Sequence, residues 1–136
     1  MREGIDWVRD ERGHILHPIE QRAHDTLQAL LDELKAEHFP EEEDEQFAGF
    51  VSGFMTLSAK LAGALGGVAR GDDFFEPGMV IAWLKRILEI LNKTIAAADS
   101  VRGKDLLPAE RIAYFRSELF AIREEVLELI KELRSR

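Results

Sequence analysis

The sequence predicts an all-α protein, an up-down-up-down four-helix bundle with a short N-terminal β-hairpin. Three observations predict it: four prolines each precede a long periodic stretch, the apolar residues of each stretch recur at helical spacing, and the connections are short. The chain of 136 residues is long enough to bury a core in one domain. We therefore expect a single domain over 1–136, with a hairpin arm in 1–17 and helices near 18–38, 41–70, 77–101 and 108–134.

The helix starts are predicted from proline and glutamate. Proline lacks an amide hydrogen, and its backbone angle suits the first helical turn. In three of the four stretches a glutamate follows two residues later, where a carboxylate meets free amides and the positive end of the helix dipole. The prolines are Pro18, Pro40, Pro77 and Pro108, and the glutamates are Glu20, Glu42 and Glu110. Gly71 and Gly103 are suited to end the second and third helices.

Apolar spacing supports each helix and predicts the core. Steps of three and four residues place side chains on one face of a helix. In the second helix this seam is Phe47, Phe50, Phe54, Leu57, Leu61, Leu65 and Val68. In the fourth it is Ile112, Phe115, Leu119, Ile122, Val126, Leu129 and Leu133.

The N-terminal arm has the pattern of a hairpin. Residues 5–9 and 14–17 flank Asp10-Glu11-Arg12-Gly13, which suits a type I turn followed by a left-handed glycine. An isolated hairpin is marginally stable in water, so we expect Trp7, Ile15 or Leu16 to pack on the bundle.

The second helix carries small residues where a charged face is expected. They are Gly49, Gly53, Thr56, Lys60, Gly63 and Gly67. Each helical glycine costs about 0.8–1.0 kcal/mol relative to alanine, so several on one face imply close approach of another backbone. That backbone could be a neighbouring helix of the same chain, a second copy in a two-fold homodimer, or a ligand or partner helix in a groove. The broad apolar girth of the third helix favours the homodimer. Lys60 is expected to extend its amine to water.

Composition excludes several classes of function. The chain has no cysteine, so it has no disulfide, thiolate metal site or thiol nucleophile. Its net charge of −8 disfavours nucleic acid as a partner. The stretch 47–69 is long enough to cross a membrane, but glycines dilute it and Lys60 would lie near the middle, at a cost of about 3 kcal/mol. We expect a soluble cytoplasmic protein that binds no membrane.

Metal-binding patterns are sparse. No His-x-x-x-His occurs, and the Glu-x-x-His pair Glu11–His14 falls in the hairpin turn. We therefore expect no metal and no cofactor under the favoured interpretation.

The acidic run Glu41-Glu42-Glu43-Asp44-Glu45 contains the pattern E-E-x-x-E. It resembles the first half of the metal motif of MazG-like nucleotide pyrophosphohydrolases, all-α enzymes whose carboxylates hold Mg²⁺ against a triphosphate. The resemblance implies a Mg²⁺ site from Glu41, Glu42 and Glu45 with Asp73 and Glu76, although Asp73-x-x-Glu76 reverses the order of the family's second half. An acidic first helical turn also explains the run.

Residues 59–67 are similar to the helix of histidine phosphotransfer domains, but Ala59 stands where that family has its phosphorylated histidine. Phosphotransfer is therefore excluded. The sequence favours a non-catalytic interaction or assembly protein, homodimeric or paired with another helical protein. The alternative is a MazG-like enzyme or a metal- or ligand-binding bundle.

Overall fold

The computed structural model describes residues 3–4, 7–36, 44–69, 76–104 and 106–135. Within these ranges the chain forms a two-stranded antiparallel sheet followed by four helices. Their bounds are β1 Val8–Arg9, β2 Ile15–Leu16, α1 Pro18–Ala36, α2 Glu45–Ala69, α3 Pro77–Val101 and α4 Ala109–Arg134. The predicted helical bundle with an N-terminal hairpin is confirmed.

Each helix packs against the next one in sequence, and α4 also packs against α1, which closes the bundle. The two predicted seams face inward: every seam residue of α4 is buried, and so is every seam residue of α2 except the half-buried Val68. Aromatic rings link α2 to α4 across the core. Phe54 lies edge-on to Phe50 and to Phe115, with ring centroids 5.3 and 5.9 Å apart.

The start of α1 forms a capping box with histidine in the capping position. The backbone amide of Ile19 donates to His17 Nδ1 over 3.1 Å, and the amide of His17 donates to Glu20 Oε1 over 3.2 Å. Two amides of the first turn are thus satisfied by side chains, as in the serine and threonine versions of this motif. The prediction that Pro18 begins the helix and Glu20 meets free amides is confirmed.

The other helix starts differ from the prediction in detail. Helix α2 begins at Glu45, not at residue 41, because the Asp44 side chain caps it by accepting the amide of Phe47 over 3.0 Å. Pro77 is the first residue of α3, as predicted, whereas Pro108 precedes the first residue of α4 by one position. Gly103 follows α3 with φ of +86°, which suits glycine. The predicted ends of the first two helices, 37–38 and 70–71, and the start at Pro40 lie outside the described residues.

The hairpin turn matches the expected geometry. The Gly13 amide donates to the Asp10 carbonyl over 3.0 Å, and Gly13 has φ of +81°. Asp10 Oδ1 accepts the backbone amides of His14 and Arg12. Partial burial opposes ionisation of Asp10, but these amides outweigh it and hold its pKa below the ordinary value. Strand β2 packs on α2, so the hairpin lies against the bundle.

Ion pairs join α1 to α4. Arg22 contacts Glu118 over 2.8 Å and also Glu125, and Arg111 contacts Glu33. The Glu118 carboxylate raises the pKa of Arg22 above its ordinary value. These contacts link the two helices that close the bundle.

Candidate functional site: the outer face of the second helix

The surface of α2 that points away from the bundle carries small, uncharged side chains. Its central residues are all exposed, and they follow one another by four and three positions alternately: Ala48, Ser52, Met55, Ala59 and Ala62. We call these five residues the outer seam of α2. Alternating steps of four and three are the spacing of a helix–helix contact, and this chain provides no second helix to cover it within the described residues.

The six residues predicted as an interface divide between two environments. Gly67 is buried and Gly53 is half-buried, so both lie towards the bundle. The other four, Gly49, Thr56, Lys60 and Gly63, are exposed and border the outer seam on the side of α3. The predicted interface residues therefore form an intrachain contact at some positions and face solvent at others.

Gly53 marks the closest approach of α2 and α3. A Cβ atom on Gly53 would lie 2.3 Å from Thr94 Oγ1 and 2.9 Å from its Cγ2. Thr94 is buried, and its hydroxyl donates to the Ile90 carbonyl over 2.8 Å. Glycine is required here because any larger residue would enter space that Thr94 occupies.

Gly49 and Gly63 have no such neighbour. No atom lies within 4 Å of the position that a Cβ would take on either residue. Both glycines still carry the helix cost that glycine imposes relative to alanine. Packing inside the described chain therefore gives no reason for glycine at these two positions.

A groove of about 660 Å³ runs between α2 and α3 beside Gly63. Ala59 and Gly63 form part of its lining, and the α3 side chains Trp83 and Ile90 line the other side. Both of these α3 side chains are half-buried. The groove is thus a partly apolar depression that adjoins the outer seam.

Three charged side chains, Lys60, Arg86 and Glu89, also line this groove, and all three are exposed. Within the described residues none of them forms an ion pair. Lys60 is the only charged residue of α2 after the first residue of the helix. The groove therefore presents two cations and one carboxylate beside an apolar lining.

A second groove, of about 600 Å³, lies on the opposite side of the outer seam. The hairpin turn and α1 supply most of its lining, including His14, His24 and Asp25, and α2 contributes Ser58 and Ala62. The outer seam therefore lies between two depressions.

The metal-site residues of the alternative interpretation are not brought together where the structure describes them. Glu45 begins α2 and Glu76 precedes α3, so the length of α2 separates them, about 37 Å at 1.5 Å per residue. Glu41, Glu42 and Asp73 lie outside the described residues. Among the residues that are described, no group of three or more histidine, aspartate or glutamate side chains is arranged to hold a metal ion.

Asp44, the acidic residue just before α2, has a structural role. Its carboxylate pairs with Lys104 over 2.9 Å and accepts the amide of Phe47. The hydrogen bond from Lys104, reinforced by the backbone amide, lowers the pKa of Asp44 below its ordinary value of 3.8. The carboxylate thus joins the start of α2 to the connection between α3 and α4.

Helix α2 is also long and apolar enough, by length and composition alone, to be a candidate membrane span. It is the one such helix among the described residues, and 33% of the qualifying window is buried in the fold. The exposed outer seam contributes to this low buried fraction.

The predicted interface residues do not include the five residues of the outer seam, because the prediction rested on the glycines beside them. The signal was present: the alternation of four and three steps runs through residues 48, 52, 55, 59 and 62. No family model, curated protein or solved structure matches this chain, so these local features are the basis for interpreting its function.

Proposed function

We propose that the chain is a non-catalytic interaction or assembly protein that forms a homodimer through the outer seam of α2. The observation that supports this most directly is the exposure of an uncharged seam with helix–helix spacing on a helix whose other faces are packed. Solvent-facing helix surfaces normally carry charged and polar residues. A seam of alanine, serine and methionine is instead suited to contact another helix.

The size of these side chains favours close packing. Axes of packed helices lie about 8–10 Å apart, and small residues give the short end of that range. Exposed Met55 supplies a large apolar side chain at the middle of the seam, with 48% of its surface accessible. Burying the accessible half of this side chain is worth about 0.7–1.5 kcal/mol, half of the value for a full burial. In a two-fold dimer each interface side chain is buried once in each copy, so its contribution is doubled. Two-fold dimers are also the commonest oligomers.

The proposal places the protein in the cytoplasm, away from nucleic acid and membranes. The net charge of −8 argues against binding to nucleic acid, whose backbone is also negatively charged. The position of Lys60 near the middle of α2 argues against insertion of this helix in a membrane, because a lysine at the centre of a bilayer is unfavourable.

The first test is the mass of the purified protein by sedimentation equilibrium and native mass spectrometry. The proposal expects twice the chain mass of 15.5 kDa with no retained ligand. Ala59→Glu, which places a charge in the outer seam, should give a monomer with unchanged helix content. Ala113→Glu on α4 is the matched control, because Ala113 is also an exposed helical alanine, and it should remain dimeric.

Three results would contradict the proposal. A wild-type protein that is still monomeric at about 100 µM contradicts the homodimer, because a dimer with a micromolar Kd would be almost fully formed at that concentration. A dimer that persists in Ala59→Glu moves the interface to another surface. A retained metal or nucleotide in the native spectrum would favour the enzyme alternative.

A further inference from the structure

His17 is the single residue between the hairpin and the helical bundle. Strand β2 ends at Leu16, and α1 begins at Pro18. The His17 side chain is buried, with 7% of its surface accessible, whereas His14 and His24 are exposed. A change at His17 therefore acts directly on the connection between the hairpin and the bundle.

The capping bond of His17 requires a neutral imidazole. Its Nδ1 accepts the Ile19 amide over 3.1 Å, so Nδ1 carries no proton and the ring hydrogen is on Nε2. An additional proton can bind only to Nδ1, the atom towards which the Ile19 N–H points. Protonation would place two N–H donors against each other and remove the acceptor. The usual capping residues, such as asparagine and serine, keep an acceptor oxygen on both sides of neutral pH.

The groups at the start of α1 act on a protonated ring in opposite directions. The free amides of the first turn form the positive end of the helix dipole, which disfavours a cation. The buried Glu20 carboxylate favours a cation, and its Oε1 already accepts the His17 amide over 3.2 Å. A protonated ring can thus approach a carboxylate only by giving up the Ile19 amide.

Helix α4 presents carboxylates towards this end of α1. Arg22 of α1 contacts Glu118 and Glu125, and the same stripe of α4 continues at seven-residue spacing to Glu132. Helices α1 and α4 are antiparallel, as the order of their ion pairs shows. His17 precedes Arg22 in α1 and therefore lies level with the later part of this stripe. The charge of Arg22 itself is already paired.

Four other charged groups of the neighbouring elements are directed elsewhere. Residues 46–69 of α2 contain one charged side chain, Lys60, which lines the groove on the side of α3. Lys131 in the last turn of α4 is exposed. His14 pairs with Asp10 over 3.3 Å in the hairpin turn, at the opposite end of β2 from His17, and protonation of His14 strengthens that pair. Acid should therefore leave the turn closed while it opens the cap.

We propose that His17 is a proton-sensitive switch between the hairpin and the bundle. With a neutral ring, His17 caps α1 and holds the hairpin, whose strand β2 packs on α2. Below about pH 6.5, where an imidazole ordinarily becomes a cation, Nδ1 releases the Ile19 amide and turns towards the carboxylates. The first turn of α1 and the hairpin then loosen together. Because the hairpin turn and α1 line the groove of about 600 Å³, that groove changes shape with pH.

Amide hydrogen exchange tests the switch at the bond that it breaks. In the wild type the protection factor of the Ile19 amide should fall at least about fivefold from about pH 7.5 to about pH 5, and ¹⁵N spectra should show the Nε2–H tautomer of His17 at the higher pH. His17→Asn keeps a capping oxygen and does not titrate, so the factor should change by less than about twofold. His24→Gln, at an exposed position of α1, is the matched control and should keep the wild-type response.

Release of the hairpin is measured by the fluorescence of Trp7. Trp83→Phe leaves Trp7 as the only tryptophan of the chain, and Trp7 is half-buried. Its quenching by acrylamide should increase from about pH 7.5 to about pH 5, and the increase should be absent when the same chain also carries His17→Asn.

Four results would overturn the proposal. The switch is wrong if the His17 ring titrates while protection of the Ile19 amide stays constant, or if the ring remains neutral in the folded protein at about pH 5. An equal loss of protection in His17→Asn would assign the effect to another group. Loss of Ile19 protection without a change in Trp7 quenching would confine the effect to α1 and refute release of the hairpin.

Discussion

Gly53→Ala should destabilise the protein even though alanine is the better helix former. The intrinsic gain of replacing a helical glycine with alanine is about 0.8–1.0 kcal/mol. Against it stands the contact with Thr94: the new Cβ would lie 2.3 Å from Oγ1, 2.9 Å from Cγ2 and 3.1 Å from Cβ. The last of these distances means that rotation of the Thr94 side chain cannot relieve the contact completely.

The net magnitude follows from these opposing contributions. Inserting a methyl group into a packed site costs about 1–3 kcal/mol. Displacing the Thr94 hydroxyl also weakens its hydrogen bond to Ile90, worth about 0.5–1.5 kcal/mol. After the helix gain is subtracted, we expect Gly53→Ala to lower the free energy of unfolding by about 1–2 kcal/mol.

Gly49→Ala is the control in the same helix. No atom lies within 4 Å of its Cβ position, so the helix gain is unopposed and the variant should be more stable by about 0.5–1 kcal/mol. Urea unfolding followed by circular dichroism measures both values at fixed protein concentration. Thr94→Ala removes two of the three contacting atoms, so in a double-mutant cycle it should reduce the cost of Gly53→Ala by more than half. If Gly53→Ala stabilises as much as Gly49→Ala does, the close approach of α2 and α3 at this position is wrong.

Three further predictions concern the ends and edges of the bundle. Glu20→Ala should lower the free energy of unfolding by about 0.5–2 kcal/mol by removing the carboxylate that accepts the His17 amide, while Glu20→Gln, which keeps an acceptor oxygen, should cost less than half of that in the same urea assay. Asp44 has a lowered pKa, so its contribution to stability is present above pH 3.8 and is lost as pH falls through the folded-state pKa. The stability difference between wild type and Asp44→Asn should therefore shrink during acid titration, and Lys104→Met should reduce that pH dependence. Arg22→Met should cost about 0.5–1 kcal/mol, and 1 M NaCl should diminish the cost, because the ion pairs it removes are partly exposed.

Local chemistry made the ends of some elements predictable. Pro77 begins α3 because proline lacks an amide hydrogen, which the first turn of a helix does not need. Gly103 follows α3 because glycine readily adopts the left-handed backbone conformation found there. The hairpin turn was predictable for the same reason, because Asp10 and Gly13 satisfy a turn within four residues. The start of α2 was predicted too early. Proline favours a helix start, but Asp44 provides the side-chain cap, and the sequence does not say which of the two the chain uses.

The outer seam could be read from spacing alone, yet its exposure could not. A period of three and four residues identifies a face of a helix without saying what covers that face. Helix α2 has two such faces, one of phenylalanine and leucine and one of small residues. Hydrophobicity correctly predicts that the first of these faces is buried in the core. Whether the second faces α3, solvent or another chain depends on where α1 and α3 lie around α2.

The sequence by itself determined four amphipathic helices, their order, their core seams and the absence of cysteine chemistry, because these depend on residue type and on spacing along one element. Tertiary structure decided which glycines are in contact. Gly53 meets Thr94, 41 positions further along the chain, whereas Gly63, only ten residues away on the same helix, meets nothing within 4 Å. Glycines identical in sequence terms differ here because contact between helices is set by the rotation and height of each helix in the bundle, and no pattern along a single helix encodes those two quantities.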